Sequence, residues 1–225
     1  MKILLEEIEV IRGSFSLRGS GNVFEGVHLI WGPVGCGKTT LALLLAGLLV
    51  PGKGKLRKEG ISKIGFLTQF PEYQITSRTI GEEVESWGAD PARVLKDSDL
   101  IGREEEDPLR LSRGELKRLL LITLLMNNPD LLLLDEPFGG LDCRERRRLI
   151  QKLTERSSAI TILFSHDHSI MPRIDYLWEI QQGMLLYRGG MPEAISHWSC
   201  PPPYLRSIGQ ESLSVHFSYN DGEEG

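Results

Sequence analysis

The chain has 225 residues, 40% of them hydrophobic, with a formal net charge of −5 and a pI near 5.6. This length suits one α/β domain with an inserted lobe, or two small domains that share a core, and the apolar fraction is sufficient for a sizeable core. The acidic average argues against a general nucleic-acid-binding protein, which usually has an excess of basic residues.

The first predicted elements surround a glycine-rich turn. Residues 27–31 form a short apolar strand, and a helix follows over about residues 38–49, where Pro51 and Gly52 stop it. Residues 63–68 indicate another strand.

The stretch 80–110 is more polar and predicts a small helical lobe rather than sheet. Thr79 is followed three residues later by Glu82, the spacing of a capping box that opens a helix. Asp90 before Pro91 predicts a second N-cap, with proline at the first helical position.

The second half of the chain alternates helix and strand. Residues 116–127 predict a helix ended by Pro129, and residues 144–156 predict a charged helix. The strands predicted at 131–134 and 160–165 are apolar on both faces, as central parallel strands must be. This alternation predicts a parallel, doubly wound sheet.

The last part of the chain departs from this pattern. Residues 201–203 are three prolines, which break regular structure. Apolar residues then alternate with polar ones, which predicts either an ordinary edge strand or a strand that pairs with a partner. The apolar members are Leu213, Val215, Phe217 and Tyr219. Residues 220–225 are predicted to be disordered.

Cysteine usage and apolar runs indicate the setting. Cys36, Cys143 and Cys200 form neither a disulfide framework nor a metal-binding spacing, which favours a reducing cytosol. The N-terminus lacks the apolar segment of a signal peptide, and every apolar run is shorter than the ~20 residues that span a bilayer. A role at a membrane would therefore need a partner.

A phosphate-binding loop follows the first strand. The pattern G-x-x-x-x-G-K-[ST] is matched in full by Gly32, Pro33, Val34, Gly35, Cys36, Gly37, Lys38 and Thr39. Its glycines let backbone N–H groups converge on an anion, and the next helix directs its positive end at the phosphates. Lys38 is expected to reach the β- and γ-phosphates and Thr39 to ligate Mg²⁺, with Thr40 beside them. A chance glycine-rich turn is the alternative.

Three further strand ends carry candidate catalytic groups. Asp135 can hold Mg²⁺ through water, and Glu136 can act as the general base on the attacking water. His166 can contact the γ-phosphate, and Gln69 can bind Mg²⁺ or the lytic water. The alternatives are solvated acids at a strand end and a structural histidine.

A family resemblance rests on the segments between these motifs. Leu111-Ser112-Arg113-Gly114-Glu115 resembles the Leu-Ser-Gly-Gly-Gln signature of ABC ATPases, and residues 138–142 resemble the D-loop of that family. Arg113 and Glu115 depart from the pattern, whereas Ser112 and Gly114 keep it. The resemblance spans about residues 25–190. It implies an α/β fold of the P-loop NTPase class, with a RecA-like parallel-sheet core, an antiparallel β subdomain and a small helical lobe.

The resemblance also implies the organisation of the chain. Residues 1–200 would form the ATPase domain, with the helical lobe inserted at about 76–128, and residues 201–225 a short, partly disordered extension. An adenine-stacking aromatic is expected upstream of the phosphate loop, with Phe15 as the candidate and Phe24 as the alternative.

The mechanism implied by the resemblance is ATP hydrolysis in a head-to-tail dimer. Each ATP would lie between the phosphate loop of one chain and the signature of the other, with Mg²⁺ as the cofactor. Contacts to the partner's nucleotide would come from Ser112, Arg113, Gly114, Glu115 and Asp142. The partners implied are a second ABC ATPase, identical or different, and an integral membrane transporter subunit, without nucleic acid.

A subfamily resemblance lies in residues 69–74, Gln-Phe-Pro-Glu-Tyr-Gln. This segment resembles the Gln-x-Pro-Glu-x-Gln of energy-coupling-factor and cobalt-type importer ATPases. The resemblance implies uptake of a vitamin or metal ion, with this chain bound peripherally at the cytoplasmic face of the cell membrane. A proline-ended loop without subfamily meaning is the alternative. The rival functions are a soluble ABC ATPase without a transport role and a nucleotide-binding module without turnover.

Overall fold

A computed structural model describes residues 1–156, 159–166 and 173–202. Nine strands form one mixed sheet in the order β4-β1-β2-β9-β8-β3-β7-β6-β5. The strands are β1 (Lys2–Arg12), β2 (Phe15–Phe24), β3 (Gly26–Trp31), β4 (Lys53–Glu59), β5 (Ile64–Leu67), β6 (Leu131–Asp135), β7 (Ile160–Ser165), β8 (Tyr176–Gln181) and β9 (Met184–Gly190).

The sheet has a parallel part and a largely antiparallel part. Strands β8, β3, β7, β6 and β5 are neighbours and run parallel. Strand β1 pairs antiparallel with β2 and β4, β8 forms an antiparallel hairpin with β9, and β2 joins β9 in parallel over two residue pairs. The expected parallel core and antiparallel region are therefore both present, as one continuous sheet.

The leucines of β6 show why this strand is central. Leu131 and Leu133 pack into an apolar cluster on the α1 side of the sheet, and Leu132 and Leu134 pack into a second cluster on the opposite side. All four are fully buried. A strand with both faces covered has to be apolar at every position, which explains the unbroken run of leucines.

Five α-helices accompany the sheet in the described part of the chain. They are α1 (Lys38–Ala46), α2 (Ile80–Ser86), α3 (Pro91–Asp97), α4 (Arg113–Met126) and α5 (Cys143–Thr154). The capping box of Thr79 and Glu82 opens α2, and Asp90 caps α3 with Pro91 in its first turn, as the sequence predicts. Helix α3 packs against both α2 and α4, and these three helices form the helical lobe and connect it to the core.

Two helix boundaries differ from the prediction by three residues, and those of α5 differ by one and two. Helix α1 ends at Ala46 rather than near residue 49, because Gly47 adopts a left-handed conformation and its N–H donates to the Leu44 carbonyl. Helix α4 begins three residues before Leu116, because the Ser112 side chain caps it.

The C-terminal predictions cannot be compared with the fold. The strand predicted from Leu213 to Tyr219 and the disorder predicted for 220–225 lie outside the described residues. The boundary between residues 1–200 and the extension stays a prediction. No helix in the described ranges is long and apolar enough to cross a bilayer.

Candidate functional site

The phosphate loop lies between the end of β3 and the first turn of α1. Gly35 and Gly37 have φ values of 81° and 112°, which a residue with a side chain rarely adopts. A Cβ at Gly37 would also lie 2.5 Å from the ring of Phe15. The loop therefore requires glycine at position 37 for its backbone and for the close approach of this aromatic residue.

Lys38 and Thr39 begin α1 and have different partners. The Lys38 ammonium donates to the carbonyls of Gly32 and Pro33, at 2.7 and 3.1 Å, so it folds back over the loop. The Thr39 hydroxyl donates to the Asp135 carboxylate at 2.7 Å. Burial raises the pKa of Asp135, and the Thr39 hydrogen bond opposes that rise. A hydroxyl and a buried carboxylate therefore meet beside the loop.

Glu136 follows β6 and turns away from Asp135. Its φ is 50°, a left-handed conformation that costs a residue with a side chain on the order of 1–3 kcal/mol. The Glu136 carboxylate accepts hydrogen bonds from the His166 backbone N–H at 3.1 Å, from His166 Nδ1 at 2.5 Å and from the Ser165 hydroxyl at 3.2 Å. It lies 3.8 Å from the Lys38 ammonium. Glu136 is thus held beside the loop by the end of β7.

These groups share one cavity at the carboxyl ends of the parallel strands. Its lining is Phe15, Val34, Gly35, Gly37, Lys38, Thr39, Thr40, Gln69, Asp135, Glu136 and His166. The cavity therefore brings together Gln69, the acidic pair, His166 and most of the phosphate loop. Phe15 lies in it, whereas Phe24 lines a different depression with His28 and Trp178.

Three loop residues predicted to bind nucleotide lie outside the cavity lining. The carbonyls of Gly32 and Pro33 are occupied by Lys38. The Cys36 side chain packs against Gly32, and a Cβ added at Gly32 would lie 2.5 Å from the Cys36 sulfur. Burial raises the pKa of the Cys36 thiol. These three residues shape the loop in this conformation rather than face the cavity.

The signature segment lies elsewhere on the chain, at the start of α4. The Ser112 hydroxyl accepts a hydrogen bond from the Glu115 N–H, and the Glu115 carboxylate accepts one from the Ser112 N–H. The two bonds form a capping box. Glu115 also pairs with Arg103 at 2.8 Å, and Arg113 contacts Glu72 at 3.3 Å. None of these residues lines the cavity around Lys38.

Asp142 has a local role in the structure. Its side chain accepts from the Glu145 N–H at 2.8 Å, and Glu145 completes a capping box at the start of α5. A contact from Asp142 to a partner's nucleotide stays a prediction.

Sequence reasoning missed two residues that contact Glu136. Ser165 ends β7 and donates to the carboxylate, and Lys117 on α4 donates to the Glu136 carbonyl at 3.0 Å. In the sequence Lys117 is followed by Arg118 and has Arg113 one turn before it, so no signal distinguishes it from an exposed charge.

Comparisons with known proteins identify the family and the fold. Residues 22–139 match the ABC transporter family. The zinc import ATP-binding protein ZnuC of Pseudomonas entomophila is 32% identical over 84% of this chain and 76% of its own length. The energy-coupling factor transporter ATP-binding protein EcfA1 of Thermotoga maritima is 30% identical over 87% of this chain and 84% of its own. The structure of cbiO1 from Clostridium perfringens, part of the ABC transporter complex cbiONQ, is similar with a TM-score of 0.67 and 22% identity, covering 93% and 98% of the two chains.

Proposed function

Because this chain belongs to the ABC transporter family of ATP-binding, ATP-hydrolysing proteins, we propose that it is the motor subunit of an importer of the energy-coupling-factor type. Its cargo would be a vitamin or a metal ion. The importer class is supported by the zinc import ATP-binding protein, and the transport role also by the energy-coupling factor transporter ATP-binding protein. The subtype is supported by the Gln-x-Pro-Glu-x-Gln segment at residues 69–74.

The chemistry we propose uses Glu136 as the general base. Water attacks the γ-phosphorus of ATP, its proton passes to the Glu136 carboxylate, and the bond to the ADP oxygen breaks. His166 and Ser165 orient that carboxylate. The Lys38 ammonium, which donates to the loop carbonyls in this structure, would donate to a phosphate oxygen of bound ATP. The observation that carries the proposal is the meeting of Glu136, His166 and Lys38 in one cavity.

Mg²⁺ fits the donor set beside the loop. Hard oxygen ligands suit this ion, and it is often held by one or two protein groups together with substrate phosphates. Thr39 and Asp135 supply a hydroxyl and a carboxylate, and Gln69 adds an amide oxygen in the same cavity. Bound there, the ion would neutralise phosphate charge.

The partner arrangement is also part of the proposal. The signature residues lie outside the cavity of their own chain, as is required if they serve the ATP of a partner. The N-terminal end of α4 would direct its positive pole at that γ-phosphate. The helical lobe would pass the resulting motion to an integral membrane subunit, with this chain bound at the cytoplasmic face.

Replacing Glu136 by Gln tests the chemical assignment. The amide cannot accept the proton, so turnover should fall by about 10²–10⁴-fold while ATP still binds and holds the dimer closed. Phosphate release and light scattering measure the two effects. Unchanged turnover in E136Q would overturn the assignment of the base.

Co-purification with a transport test examines the importer assignment. The tagged chain would be isolated from detergent-solubilised membranes of its own host. A Lys38→Ala chain, which should lack ATP turnover, is the control for the uptake measurement. We expect an integral membrane protein and a second ATPase, and a reconstituted complex whose cargo uptake needs ATP. Recovery of soluble partners alone would contradict the transport role and favour a soluble ABC ATPase.

A further inference from the structure

Lys117 is a buried cation that no sequence motif singles out. It lies one turn into α4 and is 6% exposed. Its ammonium donates to two main-chain carbonyls, that of Glu136 at 3.0 Å and that of Gly139 at 2.7 Å. Burying a charged group is unfavourable unless it is well bonded, so the Lys117 ammonium depends on these two carbonyls and holds both at hydrogen-bond distance.

The two carbonyls belong to the segment that determines where the Glu136 carboxylate points. The Glu136 N–H donates to the Phe164 carbonyl at 2.9 Å, and its carboxylate is held by His166 and Ser165. These partners all come from the end of β7. Lys117, on helix α4, holds the remaining polar group of Glu136, the main-chain carbonyl.

The backbone of Glu136 needs such support because its conformation is strained. Its φ of 50° lies in the left-handed region, where strain persists only if the surroundings impose it. The Lys117 ammonium joins the carbonyls on both sides of Pro137 and Phe138, and so closes the turn that follows Glu136.

We propose that Lys117 is a positioning residue for ATP hydrolysis: it fixes the turn after β6 so that the Glu136 carboxylate stays directed at the attacking water. This inference rests on the proposed role of Glu136 as the general base. It also ties the helix that carries the signature to the catalytic carboxylate of the same chain. A second contact supports that tie, since a Cβ on Gly114 would lie 3.0 Å from the Gly140 carbonyl.

The test uses steady-state kinetics of the full chain with ATP. Lys117→Met keeps the length and apolar stem of the side chain but removes the ammonium, and Lys117→Arg keeps a cation and donors. We expect kcat to fall by about 10–100-fold in K117M, because a small misplacement of a catalytic group has an effect of this size, while KM changes by less than about 2-fold. K117R should recover part of that loss. Lys96→Met, an exposed position on α3, is the matched control and should keep wild-type turnover.

A double substitution separates positioning from general stability. In an E136Q chain the base is already lost, so adding K117M should lower the residual rate by less than about 2-fold. Unchanged kcat in K117M would overturn the inference, and so would an equal proportional loss with and without E136Q, because that pattern indicates loss of folded protein. Undiminished turnover in E136Q alone would instead remove the base assignment on which the inference rests.

Discussion

Two consecutive acids at the end of β6 have different environments, and this difference separates their chemistry. Asp135 is part of the strand, is buried, and accepts a hydrogen bond from Thr39. Glu136 leaves the strand with a positive φ, so its carboxylate turns toward His166. A regular strand would also place the two on opposite faces, but the left-handed turn brings both into one cavity. One position suits a metal ligand and the other a base.

Phe15 and Phe24 form a matched pair for testing adenine binding. Phe15 lies in the cavity against Gly37, and Phe24 lies in the depression beside His28. Replacing Phe15 by Ala should weaken ATP binding by about 5–150-fold, because stacking of a base on an aromatic ring is worth about 1–3 kcal/mol. Titration with a fluorescent ATP analogue measures the dissociation constant. Phe24→Ala should leave it unchanged, and equal effects of the two changes would contradict the assignment.

His28 should make the stability of the fold depend on pH. Burial lowers its pKa from 6.5 to about 4. Its Nε2–H donates to the Phe24 carbonyl, so Nδ1 is the acceptor for the Trp178 indole N–H, and protonation removes that acceptor. The unfolded chain takes up this proton near pH 6.5 and the folded chain only near pH 4, so stability is complete above pH 6.5 and falls as the pH drops between these values.

The expected loss from His28 between pH 7.5 and pH 4 is about 3 kcal/mol. Urea unfolding of the wild type and of His28→Gln over this range measures it, since other titrating groups contribute equally to both chains. The wild type should lose more stability than the variant on acidification. Parallel curves for the two proteins would show that His28 does not titrate in this way.

At the scale of helices and strands, elements fixed by neighbouring residues were predictable from the sequence, whereas strands that depend on pairing with distant residues were not. The capping boxes and N-caps of α2 and α3 depend on residues within four positions, so the sequence indicated them directly. Strand β1 was not predicted, because a bulge between Leu5 and Ile8 shifts its pairing and interrupts the alternation of apolar residues. Strand β4 has a single apolar residue, Leu56, and its place in the sheet depends on pairing with β1.

Glu83 should be the residue that stabilises the start of the helical lobe. This fully buried carboxylate accepts from the backbone N–H groups of Thr76 and Ser77, at 2.9 and 2.8 Å, and from the Trp87 indole at 2.7 Å. Glu83→Ala leaves three donors without a partner and should lower the free energy of unfolding by about 2–4 kcal/mol. Urea denaturation measures the change. Glu82→Ala, an exposed change on the same helix, should cost less than about 1 kcal/mol, and equal costs would contradict this role.

At the scale of the whole molecule, the site is a consequence of sheet order. Strands β3, β7, β6 and β5 are parallel neighbours, so their carboxyl ends lie along one edge. Motifs more than 60 residues apart in sequence, from the phosphate loop to Asp135 and His166, therefore meet in one cavity. The strand-end motifs made this convergence predictable. The contacts of Lys117 and Ser165 with Glu136 were not, because they depend on side-chain directions that only the packed fold fixes.

If the signature serves the ATP of a partner, as proposed, the chain carries both halves of a nucleotide site on separate surfaces. Two identical copies in a head-to-tail arrangement would therefore build two complete sites, and mixing two inactive variants tests this. Lys38→Ala removes a chain's own phosphate contact. Ser112→Asp places a negative charge on the signature and still allows an N-cap for α4, because aspartate is a good N-cap residue.

Each variant alone should be inactive, and an equal mixture should regain about one quarter of the wild-type rate, because half of the dimers are mixed and each of these has one complete site of two. Phosphate release measures the rate. A chain with both substitutions, mixed with either variant, is the control and should give no gain, since none of its dimers has a complete site. An inactive mixture beside an active wild type would refute the head-to-tail arrangement. A wild-type chain without turnover would instead show that its partner ATPase is a different chain.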